Sequence, residues 1–92
     1  MIKTFKCRDT ERLFQRNFVK KFSSIERAAR IKLAILDSAE NLNDLRVPPS
    51  NRLESLKGER KGRHSIRINR QWRICFVWGG IDAFDAEIVD YH

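Results

Sequence analysis

The sequence predicts an α+β domain of order β-α-α-β-β-β, an antiparallel sheet with two helices packed on one face. Three observations predict it. Apolar residues recur at helical spacing through the first half, two adjacent prolines (Pro48 and Pro49) end that pattern, and strict alternation takes over beyond residue 64. Ninety-two residues make one domain, residues 1–92, with 41% hydrophobic residues for a modest core.

Met1–Lys6 alternates Ile2, Thr4 and Lys6 against Met1, Lys3 and Phe5, the pattern of a short strand. Asp9 or Thr10 can cap a first helix, in which Leu13, Phe14, Phe18 and Phe22 recur at helical spacing. Ser23-Ser24-Ile25-Glu26 reads as a capping box opening a helix over 24–41. Its apolar face comprises Ala28, Ile31, Ile35 and Ala29, Leu33, Leu36. Val47-Pro48-Pro49-Ser50 stops helix and starts a loop. Beyond it Ile66 and Ile68 alternate with Ser65, Arg67 and Asn69. An Asn69-Arg70 turn leads to Trp72, Ile74, Phe76 and Trp78, alternating with Gln71, Arg73, Cys75 and Val77. Gly79-Gly80 closes a second hairpin into a last strand from about Asp82 to Asp90.

Charge is the second message. Residues 46–73 hold nine Lys/Arg (Arg46, Arg52, Lys57, Arg60, Lys61, Arg63, Arg67, Arg70, Arg73) against Glu54 and Glu59, a net +7. That equals the formal charge of the whole protein. A neutral scaffold presenting one basic surface is the electrostatic footprint of a nucleic-acid binder. If Trp72, Ile74, Phe76 and Trp78 face the helices, Arg67 and Arg73 lie on the opposite, open face of the sheet. The loop cations Lys57, Arg60, Lys61 and Arg63 flank them. Guanidinium forks suit phosphate oxygens bidentately, and a lysine adds a compact point charge.

The composition excludes other chemistries. Cys7 and Cys75 lie far apart, and two histidines without paired spacing predict no protein-bound metal and no cofactor. No apolar leader and no membrane-spanning run is present, which predicts a cytoplasmic protein. Walker, Rossmann and nucleophile-elbow patterns are missing. Metal-free RNA cleavage fits the residue types. The ribose 2′-oxygen attacks phosphorus, one group takes its proton, another protonates the departing 5′-oxygen, and cations stabilise the nonbridging oxygens. Arg73, His92, Tyr91, Lys57, Asp90 and Glu54 are the candidates for these tasks. Arg60, Lys61, Arg63, Arg67 and Arg52 are candidates for gripping RNA.

The run from Leu53 to Phe76 reads L-K-G-(D/E)-R-x-G, then S-I, then W-R-I-x-F, and the chain ends in Asp90-Tyr91-His92. With the opening Met-Ile-Lys-x-Phe, it resembles HigB-type toxins of the RelE/ParE superfamily, over essentially all 92 residues. The resemblance implies a RelE-like, microbial-RNase-type fold and a type II toxin that cuts messenger RNA in the ribosomal A site without metal. It implies a cognate HigA-type helix-turn-helix antitoxin as partner, the 70S ribosome and messenger RNA as targets, and operator DNA bound only through the antitoxin. Carried over by motif, Lys57 contacts phosphate, Arg73 stabilises the transition state, and Tyr91 and His92 position RNA and handle protons. One position departs from the pattern. Glu54 stands where family members can carry histidine; a glutamate accepts a proton but, ionised at neutral pH, has none to donate.

Two other function classes fit the composition. A ParE-like gyrase poison would act through a protein surface, against which the terminal Asp-Tyr-His and the Lys57-Gly58 segment argue. A non-catalytic nucleic-acid-binding module would share the steep salt dependence of binding and differ only in forming no product.

Overall fold

The structure is a computed structural model that describes residues 1–56 and 62–90. Two helices, α1 (Arg8–Phe14) and α2 (Glu26–Ser38), pack with a four-stranded antiparallel sheet. Its strands are β1 (Glu54–Ser55), β2 (Arg63–Arg67), β3 (Trp72–Gly79) and β4 (Asp82–Asp90), in that spatial order. The predicted α+β class and sheet are therefore present.

The N-terminal strand is reduced to two parallel bridges on the outer edge of β4, Ile2 to Ala83 and Phe5 to Ala86. A β-bulge explains the interruption: the β3–β4 register shifts between Cys75 and Val77, and Asp85 takes a left-handed conformation with φ 53°. Thr4 fills the gap, its hydroxyl accepting from the Asp85 N–H at 2.8 Å. Farther along the same edge the Ile88 N–H donates to the hydroxyl of Thr10, a fully buried residue of α1, at 3.0 Å. Thr10→Val keeps the shape and strands that donor. An unpaired buried N–H costs about 1–3 kcal/mol, so urea melts of Thr10→Val should show that loss with an unchanged slope.

Helix α1 ends earlier than its apolar spacing predicts. Arg16 adopts φ 69°, and the Asn17 and Arg16 N–H groups bond back to the Arg12 and Leu13 carbonyls at 2.9 and 3.0 Å. This is a Schellman ending built on arginine, where glycine is the usual residue. Arg30 of α2 reinforces it by donating to the Leu13 and Asn17 carbonyls. Phe18 consequently falls outside the helix and is 64% exposed, while Phe22 belongs to a 3₁₀ turn, Lys20–Ile25, and is fully buried.

The expected Ser23–Glu26 capping box does not form. Both serines lie inside the 3₁₀ turn, which runs directly into α2 with Ile25 at the N-cap, and Glu26 instead ion-pairs with Arg30 at 3.0 Å. A capping box is found farther on, where Asn41 and Asp44 open the 3₁₀ turn Leu42–Arg46. α2 stops at Ser38, three residues short of the predicted end, because Ala39 is extended and buried.

Ala29, Leu33 and Leu36 of α2 join Leu13, Phe22 and Ile25 against Ile66, Ile74, Phe76 and Ile88 of the sheet. Ile31, assigned to the apolar face by spacing, is 52% exposed. Trp72 packs edge-on against Phe22 with centroids 5.6 Å apart. That contact seats the start of β3 on the core.

Candidate active site on the basic sheet face

Strand alternation places Glu54, Arg63, Ser65, Arg67, Arg73, Cys75 and Glu87 on the side of the sheet away from the core. The alternation predicts this side correctly. Its openness is a different matter: Arg73 is 7% exposed, Cys75 1% and Ser65 0%. The correction has a steric cause. Arg73 lies down across β2 instead of standing out, because Ser65, diagonal to it on that strand, is small enough to pass beneath a long side chain. Arg63 and Glu87 meet at 3.5 Å from β2 and β4, bridging over β3 between them.

The Arg73 guanidinium is fixed at several points. Its Nε donates to the Ser65 hydroxyl at 2.9 Å, and Nη2 donates to the Arg52 carbonyl at 2.6 Å and the Ser65 carbonyl at 3.4 Å. The Glu54 carboxylate lies 3.8 Å from Nη2 and is half exposed. Hydroxyl and carbonyl acceptors orient the fork without cancelling its charge. Glu54 offsets part of that charge from the rim, where water screens it.

The other arginines are disposed differently. Arg67 pairs directly with Arg73 across the ladder and turns away from it, donating to the Asn69 carbonyl at 3.0 Å. Such a turn relieves the like-charge contact. Arg63, expected in the RNA-gripping set, has a side chain only 14% exposed and is tied to Glu87, which Lys6 also approaches at 3.8 Å. Arg52 is exposed and sits in a left-handed conformation at φ 44°. Asp90 pairs with Trp72, so alternation gives it the side opposite Arg73; its carboxylate accepts from the Gln71 amide at 3.1 Å.

Lys57, Arg60, Lys61, Tyr91 and His92 lie outside the described residues. Of their neighbours, Leu56 and Gly62 stand at the Arg63–Val77 end of the sheet and Asp90 at the Arg67–Trp72 end. Among the described residues no group of three or more His, Cys, Asp and Glu side chains is placed to hold a metal ion. None of their helices is long and apolar enough to cross a membrane. Cys7 and Cys75 are not joined in a disulfide.

Alternation puts Ser65 on the same side of the sheet as Arg73 but gives it no task, and it does not reveal the loop that supplies the Arg52 carbonyl. That loop is organised by Asn51, a fully buried residue whose amide donates to the Leu45 and Val47 carbonyls. Asn51 Oδ1 accepts from Lys32 Nζ of α2 at 2.6 Å. Burial pushes the Lys32 ammonium below its ordinary value of 10.5. After two prolines, Asn51 reads as an ordinary turn residue, so nothing local marks it.

Residues 3–92 match the HigB-like toxin family, described as the RelE-like toxin of the type II toxin–antitoxin system HigB. Toxin HigB-1 of Vibrio cholerae is 55% identical over 56 residues, which is 61% of this chain and 59% of that protein. The chain thus spans about three-fifths of that relative. Endoribonuclease HigB of Proteus vulgaris is 32% identical over 94 residues, covering both chains completely. Among solved structures, YafQ from Escherichia coli superposes with a TM-score of 0.64 at 10% identity, covering 98% of this chain and 93% of that one. The YoeB–YefM complex from Staphylococcus aureus gives 0.56 at 22% identity, covering 100% of this chain and 98% of that one. At those identities the structural likeness is one of fold.

Proposed function

Because the chain belongs to the HigB-like toxins, RelE-like toxins of type II toxin–antitoxin systems, we propose that it is a ribosome-dependent endoribonuclease. It cuts messenger RNA in the ribosomal A site without metal and so stops translation and growth in the cytoplasm. The observation that carries this reading is the mounting of Arg73: a guanidinium held by a hydroxyl and a backbone carbonyl within a strongly basic segment. The name of the Proteus vulgaris relative, which matches over its whole length, supports the same chemistry.

In this mechanism a charge fixed beforehand meets charge that develops on the nonbridging phosphate oxygens as the 2′-oxygen attacks. A donor held before the reaction needs no reorganisation during it, which is where such groups gain their effect. Lys57 adds a second positive charge at the phosphate. Tyr91 positions the RNA, and His92 takes or returns the proton at the 2′- or 5′-oxygen. Asp90 orients this terminal group. Glu54, 3.8 Å from Arg73 Nη2, serves as an acceptor and tempers the local positive charge. Arg52, Arg60, Lys61 and Arg67 hold ribosomal or messenger RNA by their phosphates, with Arg63 contributing through its ion pair at the edge of that surface. The partner is a HigA-type helix-turn-helix antitoxin, through which operator DNA is reached indirectly.

Primer extension on a defined messenger RNA, with and without translating 70S ribosomes, tests the reading. Cuts at fixed codon positions that need ribosomes are the expected result. A folded, growth-inhibiting protein that makes no cuts in either condition would overturn it and point to a gyrase-type target.

A further inference from the structure

We propose that Lys32 and Asn51 form a clamp that aims Arg73, making them positioning residues for the charge stabilisation assigned to that arginine. This inference rests on the nuclease reading above for its link to activity, though its structural half stands on contacts alone.

The contacts run in an unbroken line from helix to guanidinium. Lys32 leaves α2 and donates to Asn51 Oδ1 at 2.6 Å and to the Ser50 hydroxyl at 3.3 Å. Asn51 is fully buried, and both protons of its amide are used, on the Leu45 and Val47 carbonyls at 3.1 and 3.2 Å. A buried amide with both donors and its oxygen engaged admits one orientation, since any rotation leaves polar atoms unpaired. The backbone is held as well: the Asn51 and Arg52 N–H groups donate to the Pro48 and Pro49 carbonyls. The chain then passes through Arg52 at φ 44° and ψ 57°. A side-chain-bearing residue rarely adopts that left-handed conformation, so the surrounding contacts must impose it. That conformation directs the Arg52 carbonyl at Arg73 Nη2, 2.6 Å away.

The function of this arrangement follows from its position. Ser65 holds Arg73 at Nε, near the root of the fork, and reaches Nη2 only through its carbonyl at 3.4 Å, so Ser65 alone sets the root more firmly than the tip. The Arg52 carbonyl, at 2.6 Å from Nη2, makes the shortest of the contacts at the tip. Its placement depends on Asn51, and the placement of Asn51 depends on Lys32. A rigid helix thereby controls the angle of a guanidinium on the far side of the sheet. Misaiming it leaves its charge and the chain's binding surface intact, while the alignment that stabilises a developing phosphate charge is lost.

The test uses the full chain carrying Lys32→Met, which removes the clamp at a partly exposed helix position, with Lys32→Arg as the conservative rescue. Asn51→Ala is the stronger change but strands the buried Leu45 carbonyl and the part-buried Val47 carbonyl and can prevent folding, so the lysine variants carry the decision. Two readouts are taken: single-turnover cleavage on messenger-programmed ribosomes against toxin concentration, and water exchange of the Arg73 Nε–H in nitrogen-15 NMR. In Lys32→Met the limiting rate should fall about tenfold, the half-saturating concentration should stay within about twofold, and Nε–H exchange should accelerate about tenfold. Lys32→Arg should restore most of both. An unchanged limiting rate with unchanged Nε–H exchange overturns the proposal. So does a loss of rate that merely tracks a lower melting temperature while Nε–H exchange stays at the wild-type value. If the wild-type chain cuts no RNA, the nuclease reading fails by itself, and Nε–H exchange alone decides the clamp in either direction.

Discussion

Arg73→Ala should abolish growth inhibition and lower messenger-RNA cleavage about 10²- to 10³-fold, the loss typical when one preorganised donor to a developing oxyanion is removed. The fold is expected to survive, because two effects on stability oppose each other. The Ser65 hydroxyl and the Arg52 carbonyl lose a donor, which costs about 1–3 kcal/mol, while the burden of burying a guanidinium is lifted. Induction in cells, single-turnover cleavage on ribosomes and co-purification with the antitoxin form the measurement. Cleavage within about tenfold of wild type would remove Arg73 from the chemistry. Arg73→Lys sharpens the result: it keeps the charge and loses the two-point fork, so it should recover only a minor part of the rate.

Phe22→Ala should lower the melting temperature by about 15 °C or more, the largest stability loss expected of any single apolar truncation outside the sheet. Phe22 has no exposed surface and packs edge-on against Trp72. Truncating a buried phenylalanine costs about 3–5 kcal/mol, and a domain of this length has only about 5–14 kcal/mol in total. The same change should loosen the site, because Trp72 is the residue before Arg73 and the cross-strand partner of Asp90. Thermal and urea melts give the first answer. A shift under about 5 °C would mean that the 3₁₀ turn carrying Phe22 can leave the core without penalty.

These two residues also show where local sequence information runs out. Phe22 was recognisable as core from its spacing, yet that spacing assigned it to a continuing first helix. The helix ends at Phe14 because Arg16 takes a left-handed turn closed by backbone bonds and braced by Arg30 from α2, seventeen residues from Leu13. Glycine would have announced such a turn; arginine does not. The Ser23–Glu26 pattern failed for a related reason. A capping box needs an extended residue at the helix entrance, and here a 3₁₀ turn leads straight in.

The sequence by itself determined the three long strands of the second half and their succession, the division into a helical half and a strand half, the face on which Arg73 emerges, and the concentration of charge in residues 46–73, while the short edge strand Glu54–Ser55 appears only in the fold. These follow from periodicity and counting, which each segment carries within itself. Its terminal and basic motifs also carried the family resemblance. The tertiary structure alone decided that Arg73 lies down over Ser65, that Arg63 is tied to Glu87, and that Lys32 reaches Asn51 beneath the proline loop. Those contacts join residues between eight and twenty-four positions apart on different elements, and the burial that makes them matter exists only when the layers have closed. Alternation states which way a side chain leaves its strand; what lies above it is set by the rest of the chain.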